Sequence, residues 1–224
     1  MTRLLFINPN TTESMTAKIG AAATQAASEG VTVETITSPF GPKSIQGAED
    51  GEAAVPGLLQ ALKAGIEQGY DGYAIACFDD TGLAQCRQLT DTPVIGIGQA
   101  AFHCSMLLSE TFSVVTTLAV SVPVIEQNLK QYGLASSCKR VRASDVPVLA
   151  LEQPGSDAEK RISDEIADAI ANDGCKSIVL GCAGMAPLAA RLTMQHGVPV
   201  IDGVVCATGL LSNLHKLRLS QRLP

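Results

Sequence analysis

At 224 residues, with 46% hydrophobic and 17% charged positions, the chain has the composition of a well-packed folded protein and not of a disordered one. A formal charge of -6 and the lack of a basic tract disfavour nucleic acid and anionic membranes as partners, so a small-molecule substrate is expected. The opening run reaches Pro9 after too few apolar residues for a signal-peptide core, and no apolar stretch is long enough to cross a bilayer. A cytoplasmic location is the expectation, and the 7 cysteines, an odd set with no Cys-x-x-Cys pair and no histidine at ligand spacing, are expected to be reduced thiols without a metal.

In chain order, short β-branched runs alternate with longer helix-like segments. A strand over Arg3 to Asn8 is followed by Asn10-Thr-Thr-Glu13, a helix-start signal in which Asn10 can cap, and by a helix towards Gly30. Next come a strand at Val31 to Thr37, a helix at Ala48 to Gln68, a strand at Gly72 to Cys77, a helix at Gly82 to Leu89, a strand at Pro93 to Gly98 and a helix at Gln99 to Leu108. The same rhythm resumes with strands at Phe112 to Thr117, Arg140 to Val146, Ser177 to Gly181 and Pro199 to Ile201. Their helices fall at Val122 to Tyr132, Ser156 to Asn172, Pro187 to His196, with Pro187 at a first helical position, and Val204 to Leu217. The apolar strand runs read as buried on both faces of parallel sheets.

This rhythm predicts an α/β fold of two pseudo-symmetric lobes, with parallel-rich sheets flanked by helices and an active site between the lobes at the carboxyl ends of the strands. The first lobe is expected over 1–97, with a C-terminal helix at about 204–224 packing back on it, and the second over 98–203.

The repeat has a chemical counterpart. Cys77 ends one apolar run and opens Cys77-Phe-Asp-Asp-Thr-Gly82; Cys182 ends another and opens Cys182-Ala-Gly-Met185. The strand ending at Asn8 precedes Cys77 by 69 residues, and the strand reaching Thr116 and Thr117 precedes Cys182 by 66. Each cysteine alone reads equally as a small core residue. Paired in duplicated halves, they put one thiol on each face of a bound molecule, the arrangement a two-base proton transfer at carbon requires. A strand end just ahead of a helix favours thiolate over thiol through backbone N–H groups and the helix dipole. Cys86, Cys104, Cys138, Cys175 and Cys206 have no matching motif in the opposite half. Asn8, Thr116 and Thr117 at strand ends can cap helices or grip carbonyl and N–H groups of a substrate. Asp79 and Asp80 read as turn or cap residues, or as cleft groups that oppose a thiolate at Cys77. Gly184 and Met185 follow Cys182 and can lend backbone N–H donors.

Over nearly its whole length the chain resembles the aspartate/glutamate/hydantoin racemase superfamily, and within it the hydantoin and allantoin racemase branch. The resemblance rests on Ile7-Asn-Pro-Asn-Thr-Thr12, Ser44-Ile-Gln-Gly47, Ala76-Cys-Phe-Asp-Asp80, Pro93-Val-Ile-Gly-Ile97, Ser113-Val-Val-Thr-Thr117 and Val179-Leu-Gly-Cys-Ala-Gly-Met185. It implies a cofactor-independent isomerase that racemises 5-substituted hydantoins through Cys77 and Cys182. Substrate recognition falls to Asn8, Phe78, Asp79, Asp80, Thr116, Thr117, Ala183, Gly184 and Met185, with no metal. It also implies a homo-oligomer. Where many members of the branch read Cys-Phe-Gly-Asp-Pro or Cys-Phe-Ser-Asp-Pro, this chain has Cys77-Phe-Asp-Asp-Thr81, so Asp79 bears on which substrate is taken. Amino-acid racemases tend to follow the first strand with Asp-Ser and the cysteines with Asn-Thr and Thr-His. Asn8-Pro9, Phe78-Asp79 and Ala183-Gly184 stand here instead, which favours a neutral ring over a zwitterion. An allantoin or an Asp/Glu-type amino-acid racemase remains an alternative, as does a protein that binds a small ligand or senses thiol oxidation without catalysis.

Overall fold

The computed structural model describes residues 1–153 and 155–220. Eight strands, all in parallel pairings, form two four-stranded sheets. In the first, β1 (Thr2–Asn8), β2 (Val31–Thr37), β3 (Gly72–Ile75) and β4 (Val94–Gly96) lie in the order β2-β1-β3-β4. In the second, β5 (Phe112–Thr116), β6 (Cys138–Ala143), β7 (Ser177–Gly181) and β8 (Val200–Ile201) lie in the order β6-β5-β7-β8, so each strand of one sheet has its counterpart in the other. The correspondence extends to single hydrogen bonds. Ser38 N–H donates to the Asn8 carbonyl at 2.9 Å, and Ser144 N–H donates to the Thr116 carbonyl at 2.9 Å.

Helices follow the strands as crossover connections: α1 (Glu13–Ala26), α2 (Ala48–Gln68), α3 (Leu83–Arg87) and α4 (Ile97–Leu108), then α5 (Val122–Gln131), α6 (Ala158–Asp173), α7 (Ala189–His196) and α8 (Gly203–Lys216). The expected helix at 204–224 is thus shorter, and positions 221–224 lie outside the described residues. Pro187 belongs to a 3-10 segment, Ala183–Leu188, that precedes α7. No helix among the described residues is long and apolar enough to cross a membrane.

The expectation of strands buried on both faces holds for β1, β3, β5 and β7, the interior strands. It fails for β2 and β6. Both are edge strands with partly exposed side chains, and Lys139 and Arg140 on β6 put charge on an edge that would otherwise invite pairing with another chain.

Two helices are exchanged across the halves. α4 follows the first sheet but packs on β7 and β8, where Ala101 and Phe102 meet Phe112, Val114 and Val179. α8 follows the second sheet but packs on β1, β3 and β4, where Val204, Ala207 and Leu211 meet Leu4, Phe6 and Ala74. α4 and α8 also pack on one another. Ser105 of α4 and Ser109, which caps its end, both reach the buried Ser177 hydroxyl of β7, at 2.8 and 2.7 Å. The core is therefore continuous through the junction of the halves.

That junction fixes the loop after β3. Asp80, at φ 50°, adopts the left-handed conformation that short polar side chains tolerate best among non-glycine residues. Its carboxylate accepts from the N–H groups of Gly98 (2.9 Å) and Gln99 (2.7 Å) in the first turn of α4, and from the Tyr132 hydroxyl (2.8 Å). The Phe78 carbonyl passes so close to Gly98 that a Cβ there would lie 2.3 Å from its oxygen. Gly98→Ala should therefore displace the loop bearing Cys77 or the start of α4, at about 2 kcal/mol, the range of an overpacked core. For a chain of this size that lowers Tm by roughly 6 °C. An unchanged Tm by calorimetry would show that this contact relaxes freely.

Candidate active site

Both sheets present the carboxyl ends of their central strands to one cleft. Cys77 stands two residues beyond β3 and Cys182 one residue beyond β7, and both sulfur-bearing side chains line the same cavity. The register that brings Cys182 there depends on a glycine. Gly181 pairs with Thr116 of β5, and a Cβ at Gly181 would sit 2.6 Å from the Thr116 Cβ. The Thr116 hydroxyl is spent on the Gly181 carbonyl, at 2.9 Å.

The two sulfurs are held alike. Each accepts a hydrogen bond from the backbone N–H two residues on, Asp79 for Cys77 and Gly184 for Cys182. Thr81 adds its hydroxyl to Cys77 at 3.5 Å. Even so, burial pushes both thiols up, Cys182 to about 12, and the Asp79 carboxylate raises both further. The sequence-based expectation of favoured thiolates is corrected here for a geometric reason. A turn separates Cys77 from α3, which begins only at Leu83, and Cys182 opens a short 3-10 segment instead of an α-helix. Loss of water outweighs one or two donated hydrogen bonds at each sulfur.

Asp79 is itself buried at 9% exposure, and it lines the cavity with the two cysteines. Burial pushes its carboxyl up to about 7, against a hydrogen bond from Ser121 that lowers it. Its Oδ2 has no hydrogen-bond partner among the described residues. The backbone around it is firmly held, since Asn128 Nδ2 donates to the Asp79 carbonyl at 2.8 Å.

Of the other residues singled out from sequence, Phe78, Thr117 and Ala183 line the cavity. Asn8, Asp80, Thr116, Gly184 and Met185 stand outside its lining. Asn8 acts one layer back: its side-chain amide donates to Asn10 Oδ1 (2.9 Å) and Thr16 Oγ1 (3.0 Å), and its Oδ1 accepts from Asn10 N–H. Asn10, read from sequence as a cap, is in the cavity wall, and its Oδ1 also accepts from Thr12 N–H just ahead of α1. The five other cysteines are not among the lining residues.

Ile45, Ser121 and Val148 complete the walls from loops that follow β2, β5 and β6. Ser44-Ile-Gln-Gly47 marked the first of these loops, while Ser121 and Val148 carried no sequence signal because they arrive through long connections. Two contacts join the first half to the 3-10 segment Val148–Glu152 of the second. Val148 N–H donates to Gln46 Oε1 at 3.2 Å, and Lys18 Nζ pairs with Glu152 at 2.9 Å. Beneath them the cavity measures about 30 Å³, room for a water molecule or two.

A family model described as Asp/Glu/Hydantoin racemase matches residues 4–211. The chain belongs to this family. It is 47% identical to the hydantoin racemase of Rhizobium meliloti over 208 residues, covering 93% of this chain and 86% of that protein. Among solved structures, an allantoin racemase from Klebsiella pneumoniae superposes with a TM-score of 0.97 at 41% identity, covering 99% of this chain and 91% of that one. The allantoin racemase of Pseudomonas fluorescens follows with a TM-score of 0.95 at 36% identity, covering 99% and 94%. The protein is thus an isomerase of the racemase type.

In this racemase the buried Asp79 carboxyl has a measurable signature. Its folded-state pKa lies above that of the unfolded chain, so its contribution to stability is fully present below about pH 4 and is lost as pH rises through about 7. Asp79→Ser should gain on the wild type by about 1–3 kcal/mol between pH 4 and pH 8 in denaturant titrations. An equal gap at the two pH values would mean that Asp79 ionises as freely in the folded protein as in the unfolded chain.

Proposed function

We propose that the enzyme racemises 5-substituted hydantoins without a cofactor, with Cys77 and Cys182 as the two proton-transfer groups. The observation that supports this most directly is the pair of thiols lining one cavity, Cys182 buried and Cys77 partly so, each on a backbone N–H hydrogen bond from matching positions of the duplicated halves. The ring binds with C5–H directed at one cysteine in its thiolate form while the other is a thiol. The thiolate removes the proton, negative charge spreads onto the C4 carbonyl oxygen, and the opposite thiol returns a proton to the other face. The roles exchange for the other enantiomer. Asn10 and Thr117 in the cavity wall are the donors available to the developing enolate oxygen.

The raised thiol pKa values serve this chemistry. A carbon acid beside a carbonyl gives up its proton only to a strong base, and a thiolate stripped of water is a stronger base than one in solvent. The cost is a small population of thiolate in the resting enzyme. A cavity of about 30 Å³ is too small for a substituted ring, so substrate binding also requires its loop walls to move apart and close again over the ring.

An amino dicarboxylate is a poorer fit. The cavity residues include no lysine or arginine, and the charged one is Asp79, which repels a substrate carboxylate. Allantoin is the specific second reading, supported by the two allantoin racemase structures, and it is itself a hydantoin with a ureido group at C5. A panel of 5-alkyl hydantoins and allantoin ranks the two by kcat/KM.

Cys77→Ser and Cys182→Ser should each lower racemisation at least about 1000-fold, as loss of an essential acid or base does. In deuterium oxide each single variant should still exchange C5–H of one enantiomer, a different one for each cysteine. Optical rotation and proton NMR of the same samples separate the two signals. Full racemisation by both variants would sink the two-cysteine mechanism.

A further inference from the structure

The buried oxygen that the closed site leaves without a partner is Asp79 Oδ2. It sits in the wall shared by both thiols, on a side chain 9% exposed, and its backbone is pinned from α5 by Asn128. The protein's own side-chain hydrogen bond to this carboxyl comes from Ser121. A buried acceptor is ordinarily satisfied within the fold. One that faces a ligand cavity finds its partner in the ligand, and for the ionised carboxylate that partner must be a donor.

Where that donor lies on the substrate follows from charge. Asp79 is two residues from Cys77 and lines the cavity with both sulfurs, so it borders the space where the reacting carbon must sit. In a hydantoin, C5 has two ring neighbours. One is the C4 carbonyl, whose oxygen gains negative charge when the proton leaves, and a carboxylate there would oppose the reaction. The other is N1–H, a donor. An anion is tolerable on the N1 side alone.

We propose that Asp79 is a specificity-determining residue that accepts the ring N1–H through its free Oδ2, so that the enzyme requires a substrate with an unsubstituted N–H beside the acidic carbon. This rests on the ring reading above. The hydrogen bond fixes which way the ring lies, with the C4 carbonyl turned from Asp79 towards the neutral donors of the opposite wall and C5–H aligned between the sulfurs. It also shields the developing enolate from the carboxylate's charge, because the charge is engaged by a donor.

The test pairs substrate and enzyme changes. A 5-isobutylhydantoin and its N1-methyl and N3-methyl derivatives are followed by C5–H exchange in deuterium oxide with the wild type, Asp79→Ala and Asp79→Ser. In the wild type, N1-methylation should lower kcat/KM roughly 10- to 100-fold, the effect of losing a hydrogen bond to a charged acceptor, while N3-methylation changes it less than about 3-fold. In the variants the N1-methyl penalty should shrink to about 3-fold or less. A merely structural role, or an effect on the thiol pKa values, would lower activity on all three substrates alike and leave these ratios unmoved. An equal N1-methyl penalty in wild type and variants would overturn the assignment, as would a penalty that follows N3. If neither variant folds, a wild type indifferent to N1-methylation overturns it on its own. Absence of exchange with every ring, alongside exchange at Cα of an amino acid, would instead defeat the ring reading, and this assignment with it.

Discussion

Loss of water around Cys77, Cys182 and Asp79 is the constraint on which the rest of the site depends. Three ionisable groups share the wall of one small cavity, and burial disfavours the charged form of each. Two consequences pull in opposite directions. The thiols become poor at ionising but strong as bases once ionised, which suits removal of a proton from carbon. The carboxylate makes ionisation of either thiol harder still. A site built only to hold a thiolate would have no such neighbour. Leaving a buried carboxylate oxygen unsatisfied costs about 1–3 kcal/mol, so its retention is better explained by a partner that arrives with the substrate than by folding.

The scaffold has to bring two thiols from distant parts of the chain to one cavity and keep them there. Parallel sheets do the first, because every strand delivers its carboxyl end to the same edge and the ligand site falls at that edge in each half. The exchanged helices do the second. α4 and α8 each continue from one sheet and pack on the other, so separating the halves would unpack both helices from their cores. The Asp80 carboxylate ties the Cys77 loop to the start of α4 and to Tyr132, which caps the end of α5, and so links the position of one sulfur to helices packed on the second sheet. Its carboxylate is thus engaged within the protein, at a place where the family resemblance implied contact with substrate.

The fold was legible because its signals are local and repeated. All eight strands and eight helices fall at the segments where apolar runs and helix-start residues placed them, with ends shifted by a few residues. The glycine-bounded cysteine runs, seen twice, were enough to single out Cys77 and Cys182. What the sequence could not carry was direction and solvent. Asn8 and Thr116 end strands as Asn10 and Thr117 nearly do, yet one or two residues of offset decide which side chain meets the cavity and which is consumed inside the wall. The state of the thiols was misjudged for a related reason. A dipole argument needs a helix to begin at the cysteine, and the turn from Cys77 to Gly82 puts that helix several residues away. Ser121 and Val148 reach the site through loops whose course is set by tertiary packing, so no local pattern marks them.

The closed cavity adds a requirement that the strand framework does not meet by itself. About 30 Å³ is far too little for a substituted ring, so the walls drawn from loops must withdraw while the strand ends stay fixed. The bonds that join the Gln46 loop and α1 to the 3-10 segment Val148–Glu152 are of a kind that suits this. Gln46 to the Val148 N–H is one neutral hydrogen bond, and Lys18 to Glu152 is a partly exposed ion pair, each worth about 1 kcal/mol or less. By contrast, the groups behind the sulfurs are locked by buried contacts, with Gly181 against Thr116 and Gly98 against Phe78. In the proposed mechanism, weak closure over a rigid floor lets the substrate's own binding energy drive the expulsion of water, and that expulsion makes a thiolate basic enough to act on carbon.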